Sequence, residues 1–211
     1  MKKLIYIVGA GGHAKVLLES LQQNSKLEVA GLLEINTDLI GGFILNTPIY
    51  FQDTMLEKYS PQDVLLVHGI GSINIPNLRA MQFNQFKALG YCFNQVIHQT
   101  AYYSSDVKLN EGVQLLARST ILTGTKIGCN TIVNTSASID HDCIIGEHVH
   151  IAPGAVLSGA VHIENGCHVG TGAVIIEGVH IGENSLIAAG AVVTKSFPKN
   201  SRIAGVPAKN I

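Results

Sequence analysis

The chain has 211 residues, of which 46% are hydrophobic and 14% are charged. This composition is typical of a packed globular protein and excludes an intrinsically disordered one. The 14 Lys and Arg residues are balanced by 15 Asp and Glu residues. The sequence therefore offers no basic stripe for binding phosphates, and we expect no nucleic-acid partner.

Segment lengths and cysteine positions predict the compartment. No apolar run reaches the roughly 18 residues of a membrane span. The run Leu4–Val8 is shorter than the roughly 7 to 15 residues of a signal-peptide core. The four cysteines form no C-x-x-C pair, so we expect free thiols rather than disulfides or a zinc site. These features predict a cytoplasmic protein with no membrane partner.

Strand and helix patterns alternate through residues 1–95. The apolar spacing predicts three strands, two helices and a closing strand, in the order strand 3–8, helix 14–24, strand 27–33, strand 63–67, helix 76–89 and strand 91–96. Such alternation is typical of a parallel βαβ sheet. We therefore assign residues 1–95 to an α/β half-Rossmann domain.

From residue 97 the apolar period changes to six. Steps of six from Ile97 to Val193 meet 17 positions, and 16 of them are Ile, Leu or Val. Four places further on in each hexad, from Ala101 to Ala191, the residue is small or β-branched. A hexapeptide repeat is typical of a parallel β-helix, and three hexads per coil would place residues 18 apart in one column. We assign residues 96–196 to this β-helix and 197–211 to a C-terminal loop or tail.

A glycine-rich loop lies between the first strand and the first helix. It fits the pattern G-x-G-x-x-G/A and comprises Gly9, Ala10, Gly11, Gly12, His13 and Ala14. Glycine lets the backbone approach a phosphate closely, and a helix N-terminus offers free amides. The loop therefore predicts a phosphate site.

Two further positions belong to the same crevice. Glu34 follows the second strand, where a carboxylate could accept hydrogen bonds from ribose hydroxyls. Gly71 follows the third strand. Because the β-helix leaves no room for a second mononucleotide half, a nucleotide sugar fits this crevice better than NAD. An NAD-dependent oxidoreductase remains an alternative.

His141 is the strongest candidate for acid–base chemistry. Asp142 is its neighbour, and Gly159 lies 18 residues on, in the same column one coil away. An imidazole with an ordinary pKa near 6.5 suits a general base at neutral pH. Gly159 leaves a gap beside the imidazole that could admit a thioester, and its amide could hold an oxyanion. Asp142 would orient the ring.

Four other histidines form two pairs that are each one coil apart in sequence. His150 and His168 are 18 apart, as are His162 and His180, so each pair should stack in adjacent coils. The sequence supplies no carboxylate to complete a metal site there. We expect no metal.

Three segments carry a resemblance to a known family. They are IVGAGGHAKV at 7–16, NTSASIDHDC at 134–143 and GVPAK at 205–209. Together they resemble bacterial nucleotide-sugar acyltransferases of the left-handed β-helix type, and the likeness covers essentially the whole chain. The resemblance implies a left-handed coil, acetyl-CoA as co-substrate, and a homotrimer whose active site lies between neighbouring β-helices.

The resemblance also assigns roles on the acceptor side. His141 matches the catalytic histidine, and Asp142 stands where a carboxylate often follows it. His13 would lie near the pyrophosphate or the sugar, and Asn134 would contact the sugar. Many members carry a second acidic residue after the second strand, which this chain lacks, so the base of the nucleotide remains open.

On the cofactor side the resemblance points to three positions. His150 would lie near acetyl-CoA, and the backbone amides at Thr171 and Ala189 would bind the pantetheine arm. Past the last coil, Lys209 and Arg202 could meet the CoA phosphates, and ordinary terminal charges are the equal alternative.

We therefore predict an acetyl-CoA-dependent N-acetyltransferase that acts on the 4-amino group of a nucleotide-linked 4-amino-4,6-dideoxy sugar, with a UDP-sugar favoured. Its partners would be the nucleotide sugar, acetyl-CoA and further copies of the chain. A sialic acid O-acetyltransferase and a GDP-perosamine N-acetyltransferase are the near alternatives. A non-catalytic nucleotide-sugar sensor or structural β-helix is the alternative of a different class.

Overall fold

A computed structural model describes residues 4–23, 28–72 and 76–211. Within them the chain forms an α/β domain followed by a parallel β-helix, as the two periods predict. The described part of the chain contains no helix long and apolar enough to cross a membrane. Residues 3, 24 and 27 of the predicted elements lie outside the described residues.

The N-terminal domain is built on a five-stranded sheet of order β3-β4-β2-β1-β5. Its elements are β1 Leu4–Val8, α1 Gly12–Gln22, β2 Val29–Glu34, a 3-10 helix Thr37–Leu39, β3 Phe43–Ile44, β4 Thr47–Phe51, α2 Gln52–Lys58, β5 Val64–His68 and α3 Pro76–Ala88. All pairs are parallel except β3 with β4. The apolar run of β1 is buried on both faces, as central parallel strands are.

Several elements of this domain differ from the prediction, among them the 3-10 helix Thr37–Leu39. The β3–β4 hairpin and α2 were not expected, because both are short and carry little periodic apolar spacing. Of the predicted closing strand at 91–96, only Phe93 pairs with the sheet, through a single parallel bridge to Leu66, and Val96 already begins the β-helix.

Seventeen two-residue strands, β6 to β22, form the β-helix. They are Val96–Ile97, Tyr102–Tyr103, Lys108–Leu109, Gln114–Leu115, Thr120–Ile121, Lys126–Ile127, Ile132–Val133, Ser138–Ile139, Ile144–Ile145, His150–Ile151, Val156–Leu157, His162–Ile163, His168–Val169, Val174–Ile175, His180–Ile181, Leu186–Ile187 and Val192–Val193. Each strand pairs in parallel with the strand 18 residues away, as at Thr120 and Ser138. The predicted coil of three hexads is confirmed.

The second residue of most of these strands points into one continuous core, together with the small residue of each hexad. Cys143 and Cys167 occupy such small positions as buried free thiols. Burial raises the pKa of each thiol to about 11, so neither is a nucleophile at neutral pH.

The β-helix is a three-sided prism, and its faces and edges are used below. Face I contains β6, β9, β12, β15, β18 and β21; face II contains β7, β10, β13, β16, β19 and β22; face III contains β8, β11, β14, β17 and β20. Edge I/II joins the first two faces and edge II/III joins the last two. The turns between faces carry left-handed residues every six positions, as at Asn130 and Asp142 with φ of 57°.

Face I carries the N-terminal domain. Val96, Leu116 and Ile132 belong to the same buried cluster as Leu17 and Leu21 of α1. The docked domain therefore lies over face I.

Residues 202–210 form a hairpin where the sequence analysis expected loop or tail. Its strands are β23 Arg202–Gly205 and β24 Ala208–Asn210. β23 continues face I in parallel beside β21, and β24 returns antiparallel to it. Ile203 and Ala208 are buried, and they close the end of the apolar column.

Candidate active site

The glycine-rich loop forms one side of a pocket. The pocket measures about 490 Å³ and brings together Gly9, Ala10, Gly11, Gly12, His13, Glu34, Gly69, Ile70 and Gly71. Six of the seven residues predicted to bind the acceptor thus line one cavity, and the seventh, Asn134, lies elsewhere. Around Gly11 and Gly12 there is open space where side chains would be, and no side chain within the described residues caps the N-terminus of α1. The free amides there suit an anion.

Glu34 anchors the glycine-rich loop. Its carboxylate accepts hydrogen bonds from the backbone amides of Ala10 at 3.0 Å, Ile35 at 2.8 Å and Asn36 at 3.1 Å. These bonds tie the loop to the end of β2. Only the remaining lone pairs of the carboxylate are left for a ribose hydroxyl.

His13 joins the pocket to the β-helix. Its Nε2 donates to Oε1 of Gln114 at 2.7 Å, and Nε2 of Gln114 donates to the carbonyl of His68 at 2.8 Å. Burial, and then the nearby Arg79 charge, lower the pKa of His13 to about 3. His13 is therefore neutral at physiological pH and orients by hydrogen bonding rather than by charge.

His141 forms a compact pair with Asp142 on edge II/III. Its Nδ1 lies 2.9 Å from Oδ2 of Asp142, and its backbone amide donates to Oδ1 of Asp140 at 2.8 Å. The hydrogen bond to Asp142 is the main cause that raises the pKa of His141. No hydrogen bond from the described residues engages Nε2, so this nitrogen is free to take a proton.

Gly159 lies directly under the His141 ring. A Cβ at this position would lie 2.5 Å from both Cε1 and Nε2 of His141. Gly159 does not leave the predicted gap for a thioester at this point, because the imidazole itself fills that space. No described residue accepts a hydrogen bond from the Gly159 amide.

His150 lies buried between the β-helix and the N-terminal domain, next to Asn134. Its Nδ1 donates to the carbonyl of Ser72 at 3.1 Å, and its Nε2 accepts from the Asn134 side-chain amide at 3.0 Å. Burial lowers the pKa of His150 to about 4. With both nitrogens engaged, His150 is a neutral support for Asn134 and not a base.

Two predicted cofactor positions, Thr171 and Ala189, lie on edge I/II, and Lys209 lies at the end of the prism. Thr171 and Ala189 are exposed, and no described residue accepts a hydrogen bond from either backbone amide. Lys209 is exposed on the terminal hairpin, as is Arg202. Two free amides in one column suit the amide carbonyls of a pantetheine arm.

Within one chain the two groups of residues do not meet. Asn134, Thr171 and Ala189 follow strands of face I, so they lie on edge I/II beside the docked domain. His141 and Gly159 follow strands of face II and lie on edge II/III. The whole width of face II separates them.

Each histidine pair lies in adjacent coils, as predicted; the rings of His162 and His180 are stacked, and those of His150 and His168 meet edge to face. The ring centroids lie 4.8 Å apart for His150 and His168 and 4.7 Å apart for His162 and His180. Glu164, which the sequence analysis left out, accepts from Nε2 of His180 at 2.8 Å. The described residues contain no group of three or more His, Cys, Asp or Glu side chains that could hold a metal ion.

Sequence reasoning missed one group of residues, the junction formed by His68, Ser72, Arg79 and Gln114. These residues link the pocket to face I through the hydrogen bonds of Arg79, Gln114 and His150. The only available signal was Gln114, a polar residue at an outward strand position where its neighbours in the column, Val96 and Ile132, are apolar.

The sequence matches two family descriptions. Residues 4–83 match the PglD N-terminal domain, and residues 124–159 and 160–195 match the bacterial transferase hexapeptide (six repeats) family. GDP-perosamine N-acetyltransferase of Escherichia coli O157:H7 is 30% identical over 179 residues, which cover 75% of this chain and 72% of that protein.

Solved structures agree with these matches over the full fold. The acetyltransferase domain of PglB from Neisseria gonorrhoeae FA1090, in complex with acetyl coenzyme A, superposes with a TM-score of 0.92 at 29% identity, covering 100% of both chains. PerB from Caulobacter crescentus, in complex with CoA and GDP-perosamine, gives a TM-score of 0.88 at 33% identity, covering 98% of this chain and 96% of that one.

These similarities confirm the left-handed coil, the acetyltransferase activity and the use of acetyl-CoA. They also decide against the oxidoreductase and non-catalytic alternatives. The chain belongs to the hexapeptide-repeat family of nucleotide-sugar N-acetyltransferases, built from a PglD-type N-terminal domain and a left-handed β-helix.

Proposed function

We propose that this protein transfers the acetyl group of acetyl-CoA to the 4-amino group of a nucleotide-linked 4-amino-4,6-dideoxy sugar, with His141 as general base. The observation that carries the proposal is the His141 ring over Gly159, held at Nδ1 by Asp142 at 2.9 Å and open at Nε2. A base of this kind must be oriented and accessible, and His141 meets both conditions.

In the proposed reaction the sugar amine attacks the thioester carbonyl carbon. A C–N bond forms, the amine proton passes to Nε2 of His141, and the carbonyl oxygen becomes an oxyanion beside the Gly159 amide. Collapse of the intermediate breaks the C–S bond, and the imidazolium returns the proton to the CoA thiolate. Asp142 stabilises the imidazolium during the interval between these steps.

The complete site requires more than one copy of the chain, and we propose a homotrimer. The outward residues of face II carry no charge; they are Tyr102, Thr120, Ser138, Val156, Val174 and Val192. Two of these, Tyr102 and Val156, are 57% and 41% exposed in the single chain. Packing face II of three copies around an axis would bring edge I/II of one copy to edge II/III of the next. His141 of one copy would then reach the Asn134, Thr171 and Ala189 side of its neighbour.

We favour uracil as the base of the nucleotide. Guanine presents N–H groups that can donate hydrogen bonds to a carboxylate. Glu34 is the one acidic side chain among the described residues that line the pocket, and its oxygens already accept three backbone amides. A GDP-sugar is the second candidate, because two relatives are described as acting on or binding GDP-perosamine.

CoA release, followed with a thiol reagent, tests the proposal. Purified protein with acetyl-CoA would meet a UDP-4-amino-4,6-dideoxy sugar, GDP-perosamine and sialic acid in parallel. We expect release with the UDP-sugar and its loss in His141→Ala, whereas His162→Ala, a surface histidine on face III, should retain full activity. Release with GDP-perosamine alone would move the assignment to the second candidate. Full turnover by His141→Ala would rule out the proposed base.

A further inference from the structure

A buried arginine joins the two domains. Arg79, on α3, is only 1% exposed. Its Nη1 donates to the carbonyls of His68 at 3.0 Å and Ile70 at 2.5 Å, and lies 3.0 Å from Nδ1 of His68. Its Nε donates to the carbonyl of Asn130, in a turn of the β-helix, at 3.2 Å. One guanidinium thus holds the end of β5, the residues after it and the β-helix.

No carboxylate among the described residues forms an ion pair with Arg79. Burial lowers the pKa of Arg79 to about 9, so the side chain is still a cation at neutral pH. An unpaired buried charge is unfavourable, and an apolar residue of similar size is often as stable in such a place. An apolar residue lacks the planar set of N–H donors of a guanidinium. In Arg79 these donors bind three carbonyls at once.

The residues that Arg79 holds contact both the nucleotide pocket and His150. We call residues 68–72 the bridging segment. Gly69, Ile70 and Gly71 line the nucleotide pocket, and the Ser72 carbonyl accepts from Nδ1 of His150 at 3.1 Å. The segment leaves little free space at its start, because a Cβ at Gly69 would lie 2.6 Å from Ile7. A shift of this segment would move the pocket wall and the support of Asn134 together.

We propose that Arg79 is a positioning residue, which sets the nucleotide pocket and the His150–Asn134 pair at once through the bridging segment. The inference rests on the proposed function in taking Asn134 and the pocket as the acceptor site. Because the Arg79 cation lies behind the pocket wall, it also favours a pyrophosphate in the pocket.

Arg79→Met and Arg79→Lys test the inference. Methionine keeps an unbranched apolar stem but removes the donors and the charge, while lysine keeps the charge and some of the donors. Losing a charge-assisted hydrogen bond to each carbonyl should raise the KM for the nucleotide sugar and lower kcat, each by roughly tenfold in Arg79→Met. Arg79→Lys should recover part of both losses.

Hydrogen–deuterium exchange supplies a readout that needs no substrate. Peptides containing the bridging segment should exchange faster in Arg79→Met than in the wild type. The matched control is Phe86→Leu, on the same helix, whose ring packs on Tyr91 and Phe93. We expect this control to lose thermal stability while it keeps the kinetic constants and the exchange rate of the bridging segment.

The outcomes distinguish a positioning role of Arg79 from a purely structural one. Wild-type KM, kcat and exchange in Arg79→Met would overturn the positioning role, as would equal losses in Phe86→Leu, which would mark a structural effect only. If Arg79→Met does not fold, Arg79→Lys decides. Unchanged KM, kcat and exchange rate in Arg79→Lys would overturn the proposal that the guanidinium positions the bridging segment. If the wild type acetylates no amino sugar, the proposed function fails, and the exchange rates still decide whether Arg79 holds the segment.

Discussion

Replacing Gly159 with alanine places one methyl group beneath the His141 imidazole. The new Cβ would lie 2.5 Å from Cε1 and Nε2 and 3.1 Å from Nδ1 of that ring. Carbon atoms in contact are ordinarily about 3.5 to 4.0 Å apart, so the ring must move by roughly 1 Å. The ring has room to move, because the His141 side chain is 48% exposed. A misplacement of this size can reduce the rate of a reaction by roughly 100-fold.

We therefore expect kcat/KM to fall by roughly 100-fold in Gly159→Ala. The melting temperature should change little, since Gly159 is not among the residues with positive φ. Initial rates of CoA release and thermal unfolding would be measured for Gly159→Ala, His141→Ala and the double variant. Because both changes act through one ring, the double variant should be no slower than His141→Ala. Wild-type kcat/KM in Gly159→Ala, or a further 100-fold loss in the double variant, would refute this reasoning.

Three further changes follow from the same geometry. Asp142→Asn removes the hydrogen-bonded charge that raises the pKa of His141; since the base acts when neutral, the acidic limb of a plot of kcat/KM against pH should move to lower pH, and an unmoved limb would contradict this. Burial lowers the pKa of His13 to about 3 and that of His150 to about 4 in the folded chain, so the unfolded state takes up protons first as the pH falls below about 6.5. Stability is thus fully present above that pH and should drop by about 2 kcal/mol per histidine at about pH 5, whereas a constant melting temperature between about pH 7.5 and pH 5 would show that these rings are not held neutral. Gly69→Ala puts a Cβ 2.7 Å from a carbonyl oxygen of β1 and should destabilise the N-terminal domain by roughly 1 to 3 kcal/mol, which an unchanged midpoint of urea unfolding would disprove.

The β-helix was predictable because its physical requirement repeats. Every sixth residue faces the same apolar column, so the pattern from Ile97 to Val193 determines strands, coil length and inward positions together. The same arithmetic could have separated the two groups of site residues. His141 and Gly159 differ by one coil of 18 residues, as do Thr171 and Ala189, but the two pairs are out of phase with each other and must lie on different edges.

The junction between the domains was not predictable in the same way. His13 and Gln114 are 101 residues apart in sequence, and Arg79 and Asn130 are 51 apart. No period relates such residues, because their contacts depend on how the α/β domain docks on face I. Glu34 shows a related limit. Its position after β2 was evident from the sequence, but the three hydrogen bonds that its carboxylate accepts from backbone amides depend on the loop conformation.

The terminal hairpin has a consequence for solubility. A stack of parallel coils ends in a row of unpaired backbone groups, which is a template for a further chain to join the stack. The antiparallel β24 occupies the outer side of β23, so the last parallel strand of face I does not present its edge to solvent. By covering the edge of the last parallel strand of face I, the hairpin disfavours extension of this face by a further chain.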